Sequence, residues 1–145
     1  MSDPSREIEQ FGVIAWRRAG ADGVEVLLIT SRETRRWVPP RGNAIPGLRP
    51  HESAAQEAFE EAGIRGGVQP KEIGTYRYGK RARDGRVIPA QVHLYPMLVT
   101  EEAETWPERH QRERRWFAAS AAADAVDEAD LADLIRDFPH SVMKV

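Results

Sequence analysis

The chain has 145 residues, 41% of them hydrophobic and 30% charged, with no cysteine and a formal net charge of −2. That length and apolar content fit one domain with a sizeable core and exclude a disordered chain, while the missing cysteines exclude a disulfide scaffold, a thiolate metal site and a thiol nucleophile. No apolar run approaches the roughly 18 residues of a membrane helix and no charged-then-apolar leader is read, so the expected setting is the cytoplasm, away from membranes.

Residues 1–7 are polar and expected to be a flexible terminus, leaving 8–145 as a single domain. Phe11–Trp16 and Val24–Ile29 are apolar, β-branched runs around a Gly-rich segment, the pattern of a hairpin with a longer loop. Trp37-Val38 is at most a short strand, stopped by Pro39 and Pro40, and 41–49 reads as a loop punctuated by Gly42, Pro46 and Gly47. From Pro50 the period changes. Ala55, Ala58, Phe59 and Ala62 form one apolar stripe, Pro50 suits the first helical position, and Gly63 suits the left-handed position that ends a helix. The spacing predicts a helix over 50–62, with Glu52 supporting a start that Arg49 caps poorly.

Ile73–Lys80 and Val87–Val99 are the arms of a long hairpin around Asp84-Gly85, the pair preferred in a type I′ turn. Pro89 and Pro96 imply an edge position or bulges for the second arm rather than a central strand throughout. Residues 100–113 are loop-like, and 115–117 a last short strand. Ser120 then caps an Ala-rich helix, and 128–138 is another helix, ended by Pro139. Together these predict an α+β domain with a mixed sheet.

The near-neutral total conceals an uneven distribution. Residues 1–100 carry 15 basic and 12 acidic groups, and residues 101–145 carry 6 and 11. Arg77, Lys80, Arg81, Arg83 and Arg86 face only Asp84 within their own stretch, and 18 of the 21 basic residues are arginine. The planar guanidinium fork suits phosphate, although a solvated, arginine-rich surface has the same composition. A net negative chain argues against non-specific binding to nucleic acid.

On the predicted helix Glu57, Glu60 and Glu61 lie within about 100° of one another, opposite the Ala55/Phe59 stripe. Carboxylates at i, i+3 and i+4 repel, and in the last turns the helix dipole also disfavours them. A bound hard cation reverses both penalties, since such ions take carboxylate oxygens. Alone, the same three residues also describe a solvated acidic face. His51, His93, His110 and His140 show no ligand spacing and receive no role, while Trp37, Tyr76, Trp116 and Phe117 read as packing residues.

The stretch from Gly42 to Ile64 resembles the signature of the Nudix hydrolases: a glycine, five residues, a glutamate, seven residues, then Arg-Glu-aliphatic-x-Glu-Glu-x-Gly-aliphatic. Gly42, Glu57, Glu60, Glu61, Gly63 and Ile64 stand at matching positions, with Ala58 at the aliphatic place. Trp37-Val38-Pro39-Pro40-Arg41 resembles the family's approach to the loop. The resemblance covers residues 8–138 and implies a Nudix-type α/β/α sandwich with a mixed β-sheet. It implies Mg²⁺-dependent pyrophosphohydrolysis of a nucleoside-diphosphate-linked compound, with Mn²⁺ as a substitute. Glu57 and Glu61 would be direct metal ligands, Glu60 a ligand directly or through water, and the Gly42 carbonyl would complete the site. Glu60 is then the first candidate for general base, with Glu101, Glu102, Glu104 and Glu108 as loop alternatives.

Lys80–Arg86, Glu104-Thr105-Trp106-Pro107 and Arg112–Phe117 resemble the diphosphoinositol and diadenosine polyphosphate hydrolase branch. That resemblance makes Lys80, Arg81, Arg83 and Arg86 candidate contacts for a polyphosphorylated small molecule, and Arg41 is the best placed of the loop arginines, ahead of Arg32, Arg35 and Arg36. Two positions depart from the signature. The loop glutamate is Leu48 and the arginine before the first helical glutamate is Gln56. In relatives this pair can brace the loop against the helix, so a joint loss leaves no unpaired charge behind. The competing readings are a non-catalytic nucleotide or polyphosphate sensor on the same fold and, disfavoured by the acidic C-terminal part, an RNA-end pyrophosphohydrolase.

Overall fold

Alternating apolar residues in the N-terminal runs make the centre of a two-faced sheet. The computed structural model describes residues 7–21 and 23–142, so the polar start lies outside the described residues except for Glu7. Strands β1 (Ile8–Ala19) and β2 (Gly23–Thr30) pair antiparallel through Ala15↔Leu27 and Ala19↔Gly23, longer than the apolar runs alone. They are followed by β3 (Trp37–Val38), β4 (Arg41–Asn43), α1 (Pro50–Ala62), β5 (Ile64–Val68), β6 (Gly74–Arg81), β7 (Val87–Glu102), β8 (Arg114–Ala118), α2 (Ala119–Ala125) and α3 (Ala129–Val142). The sheet runs β3-β2-β1-β7-β5, with β4 on β1, β6 on β7 and β8 on β2. Among the described residues only β1 and β7 pair in parallel, so the sheet is mixed.

The two faces hold separate cores. Ile14, Trp16, Val26 and Leu28 pack with Leu131, Ile135 and Phe138 of α3 and the alanines of α2. Val13, Ala15, Leu27 and Ile29 pack with Ala54, Ala58 and Ala62 of α1. Helices therefore cover both faces, giving the α/β/α layering of the sequence reading. None of them is long and apolar enough to cross a membrane.

Helix α1 has the predicted bounds. Glu52 accepts a 2.7 Å hydrogen bond from the Arg49 amide, and Gly63 ends the helix at φ 68°. Its buried stripe is rotated from the expected one: Ser53, Ala54, Ala58, Glu61 and Ala62 face inward, while Phe59 is half-buried beneath the Arg65 guanidinium. Alanines allow the helix to approach the sheet closely, and that approach carries Glu61 inward rather than leaving it opposite the core.

Four other local expectations change, and one strand forms where none was read. Strand β4 forms in the stretch read as loop, held by Gly12↔Arg41 and Gln10↔Asn43 across from β1. Strand β5 forms despite Gly66 and Gly67, which weaken its local signal; a Cβ at Gly66 would collide with the backbone of Leu98. The hairpin tip is not type I′, because Gly85 has positive φ (88°) and Asp84 does not. Gly85 N donates to Ala82 O at 3.0 Å and Ala82 N to Arg86 O at 2.8 Å, the pattern of a turn closed by a left-handed glycine. Ala118, not Ser120, occupies the N-cap of α2, and α3 continues through Pro139 to Val142, held by its buried Leu131, Ile135 and Phe138.

Finally, β7 is central over residues 90–98, between β1 on one side and β6 then β5 on the other. Pro96 fits there because its carbonyl accepts from Gln69 N at 2.9 Å, so its donorless nitrogen points to the same side, at the gap where β6 has ended and β5 has not begun.

Candidate functional site

The last turns of α1 form one wall of a cavity of about 640 Å³. Glu57 and Glu61 line it, together with Gly42 of β4, Glu108 and Arg112 of the segment before β8, and Tyr78, Lys80 and Arg81 of β6. Gly42 makes room for the acidic wall: a Cβ at that position would overlap the carboxylate of Glu57 and displace it, so glycine here leaves that side chain its place in the cavity.

The acidic groups are only partly compensated. Glu61 is 8% exposed; it accepts from the Arg41 amide at 3.1 Å and faces Arg112 Nη2 at 3.4 Å. Glu57 has no hydrogen bond or ion pair among the described residues. Burial pushes the Glu57 carboxyl up to about 7, and the charges of Glu60 and Glu108 push the same way against Arg112. Burial likewise lifts Glu61 to about 7, opposed by Arg112 and the Arg41 amide and aided by Glu108 and Glu57. Two desolvated carboxylates near one another favour either protons or an external cation.

The end of α1 is tied to the segment 103–114 through nearly every free carbonyl. Phe59 O accepts from Gly63 N (2.9 Å), Glu60 O from Glu108 N (3.0 Å) and Glu61 O from the Trp106 indole (3.1 Å). Ala62 O accepts from Arg114 Nη1 (2.8 Å), and Gly63 O from Ala103 N (2.7 Å). A helix end ordinarily leaves such carbonyls unsatisfied. Here all of them but Phe59 O, which takes the helix's own Gly63 N, find their donors in the segment that also presents Glu108 to the cavity.

The sequence-predicted residues divide. Glu57, Glu61, Gly42, Arg41, Lys80 and Arg81 all line the cavity. Glu60 does not, although its charge is felt at Glu57. Arg83 and Arg86 stay on the exposed hairpin tip, where Arg86 pairs with Asp84 at 2.7 Å. Arg41 is engaged by aromatics: its Nη1 donates to the Tyr76 hydroxyl at 2.8 Å and its guanidinium lies 3.9 Å from the centre of the Tyr78 ring. Of the neighbouring arginines, Arg32 reaches Gln111 (3.0 Å) and Arg36 reaches Asp127 and Glu128, while both also line the cavity.

Sequence reasoning missed Gln10, Asn43 and Tyr78. Tyr78 donates to Gln10 Oε1 at 2.6 Å, and Gln10 Nε2 donates to Asn43 Oδ1 at 3.3 Å. They come from three strands and share no motif, and Gln10 sits just before the apolar run of β1, where nothing in the sequence marks it. Leu48 and Gln56 are both exposed, so the charge pair they replace would carry little desolvation cost here. The loop is instead braced by fully buried Ser53, whose hydroxyl accepts from Ile45 N at 3.0 Å.

Comparison with known proteins identifies the family. The NUDIX domain family matches residues 8–138. The chain belongs to the Nudix family. Nudix hydrolase 17, mitochondrial, of Arabidopsis thaliana is 34% identical over 105 residues, 72% of this chain and 56% of that protein. Diphosphoinositol polyphosphate phosphohydrolase 3-beta of Bos taurus is 32% identical over 101 residues, 68% of this chain and 57% of that protein. This Nudix chain thus spans little more than half the length of either curated relative. A solved C. elegans Ap4A hydrolase binary complex has the same fold, with a TM-score of 0.72 at 21% identity over 95% of this chain and 99% of that one. The plant relative's name places that protein in mitochondria, a different compartment from the cytoplasm expected above.

The donor set suits the divalent metal that Nudix hydrolases generally use. Carboxylate oxygens from Glu57 and Glu61 are ligands for a hard cation, and the glycine at 42 leaves the Glu57 carboxylate its space. Among the described residues no three such side chains are already gathered to hold an ion, and Glu61 is engaged by Arg112 and the Arg41 amide.

Proposed function

We propose that this Nudix chain is a divalent-cation-dependent pyrophosphohydrolase acting on a polyphosphorylated small molecule, such as a dinucleoside polyphosphate or a diphosphoinositol polyphosphate. The observation that carries this reading is one cavity with two kinds of wall. Glu57, Glu61 and Glu108 form an acidic wall, while Arg32, Lys80 and Arg81 bring positive charge to the same space. A polyanion and cations together neutralise both walls, which neither does alone.

Glu57 and Glu61 would hold Mg²⁺, or Mn²⁺ in its place, with Glu60 through water and the Gly42 carbonyl completing the set. The bound cation supplies charge neutralisation at the bridging phosphate oxygens and lowers the pKa of water. Lys80 and Arg81 orient the phosphate chain by charge-assisted hydrogen bonds. The proton of the attacking water goes to a carboxylate, and Glu108 is favoured over Glu60 because it lines the cavity.

The test is hydrolysis of diadenosine tetraphosphate and a diphosphoinositol polyphosphate with Mg²⁺, by wild type and Glu61→Gln, in ¹⁸O-labelled water. Turnover that Glu61→Gln abolishes, with label in one phosphate product, supports the reading. Binding of these ligands without turnover by the wild type points instead to the sensor alternative.

A further inference from the structure

We infer that Arg112 is a positioning residue for the reaction: its guanidinium couples Glu108 to Glu61 and fixes the segment that presents Glu108 to the cavity. The inference rests on the hydrolase reading above. The Arg112 side chain is 8% exposed, and all three of its nitrogens are engaged. Nε donates to Glu108 Oε1 at 2.8 Å, Nη1 to the Thr30 carbonyl at 3.2 Å, and Nη2 faces Glu61 Oε2 at 3.4 Å. One planar fork therefore joins the end of β2, the helix carrying the acidic wall, and the loop carrying Glu108.

The surrounding backbone fits this role. Thr30 N donates to Glu113 O at 3.0 Å and Glu113 N to Thr30 Oγ1 at 2.9 Å, so the chain beside Arg112 is pinned to β2. Glu108 N is held by Glu60 O at 3.0 Å. What remains to be fixed is the Glu108 carboxylate, and Arg112 Nε is the group that holds it. Arg112 also supplies positive charge between Glu61 and Glu108, where an added cation would otherwise stand alone among carboxylates. Charge and geometry therefore have separable consequences. Losing the charge makes the cavity more negative and binds cations more tightly. Losing the fork frees Glu108 and slows turnover.

Arg112→Lys keeps the charge without the fork, and Arg112→Met removes both. At pH 8.5, Mn²⁺ binding followed by electron paramagnetic resonance is expected to be unchanged within about twofold for Arg112→Lys and at least threefold tighter for Arg112→Met. Both variants are expected to lose on the order of tenfold or more in kcat, with KM changed less than about threefold. In a Glu108→Gln background, Arg112→Lys should cost less than about a further twofold, because the group it positions is already gone. Weaker Mn²⁺ binding in Arg112→Met, or a kcat loss that adds fully to Glu108→Gln, overturns the inference. Should Arg112→Met fail to fold by circular dichroism, Arg112→Lys alone decides: unchanged kcat overturns the inference, and reduced kcat that is non-additive with Glu108→Gln supports it. If wild type hydrolyses nothing, the hydrolase reading falls and this inference with it; wild-type turnover with additive losses defeats this inference alone.

Discussion

Two groups of converging carboxylates in this fold, one around His93 and one at the end of α1, are balanced differently. Glu9 and Glu72 bracket His93, one on each ring nitrogen at 2.9 and 3.1 Å, with Phe11 stacked on the imidazole at 5.3 Å. That group is built around a partner whose charged form its two carboxylates favour, and it lies outside the cavity at the end of α1. Glu57, Glu61 and Glu108 share only Arg112, which reaches the latter two and leaves Glu57 without a partner among the described residues. Burial opposes the charged form at both places. At His93 the two carboxylates outweigh it and the pKa rises, whereas Glu57 and Glu61 are lifted to about 7. A cluster compensated from within is structural, and one left short of positive charge is arranged to receive it.

The sharpest way to break this comparison is to neutralise the undercompensated side. Glu57→Gln or Glu61→Gln should lower kcat by about a thousandfold in an Mg²⁺-dependent assay, the scale of several kcal/mol of transition-state stabilisation. In chelator-treated protein at pH 8, Glu57→Gln should melt higher than wild type in a calorimetric scan, since it removes a desolvated charge. A lower melting temperature would show that Glu57 is compensated after all. Gly42→Ala comes next: the added Cβ displaces the Glu57 carboxylate, and activity should fall by about a hundredfold while circular dichroism remains folded.

Lys80→Ala should raise KM by about tenfold, the loss of one charge-assisted contact, while Arg86→Ala should change it less than about twofold. Arg86 is exposed, paired with Asp84, and outside the cavity. Equal effects of the two would spread substrate contacts over the whole hairpin tip. The smallest effect belongs to the balanced cluster. Because His93 is raised above its ordinary 6.5 in the folded state, its stabilisation is complete below that value and is lost as pH rises through the folded value. His93→Gln should therefore lower stability at pH 5.5 by about 1 kcal/mol or less, lower it less at pH 8.5, and leave kcat unchanged. Urea melts at the two pH values measure this, and a pH-independent effect would remove the ion pairs from the account.

Much of the fold is legible where local signals agree. Pro50, the alanine stripe and Gly63 define α1 within the chain itself, and the apolar runs define β1, β2 and β8. Strands β4 and β5 escaped because each is short and glycine-containing, and each exists only through its partner strand. The type I′ expectation failed because Asp84-Gly85 allows more than one turn, and pairing across the hairpin selected a loop with a single left-handed residue.

The candidate site follows the same division. The sequence carried the resemblance to the family in its Gly42-to-Ile64 stretch, and the spacing of Glu57, Glu60 and Glu61 determined the acidic face of one helix, because helical geometry alone brings those three positions together. The sequence also held the arginines that its net charge of −2 conceals. Tertiary structure decided which charges share a space. Close packing of alanines on the sheet turned Glu61 inward, the carbonyls at the end of α1 captured the segment bearing Glu108 and Arg112, and the hairpin brought Lys80 and Arg81 to the cavity while leaving Arg83 and Arg86 in solvent. Desolvation is a property of neighbours distant in sequence, so only the packed chain could separate the carboxylates that need a cation from those that already have one.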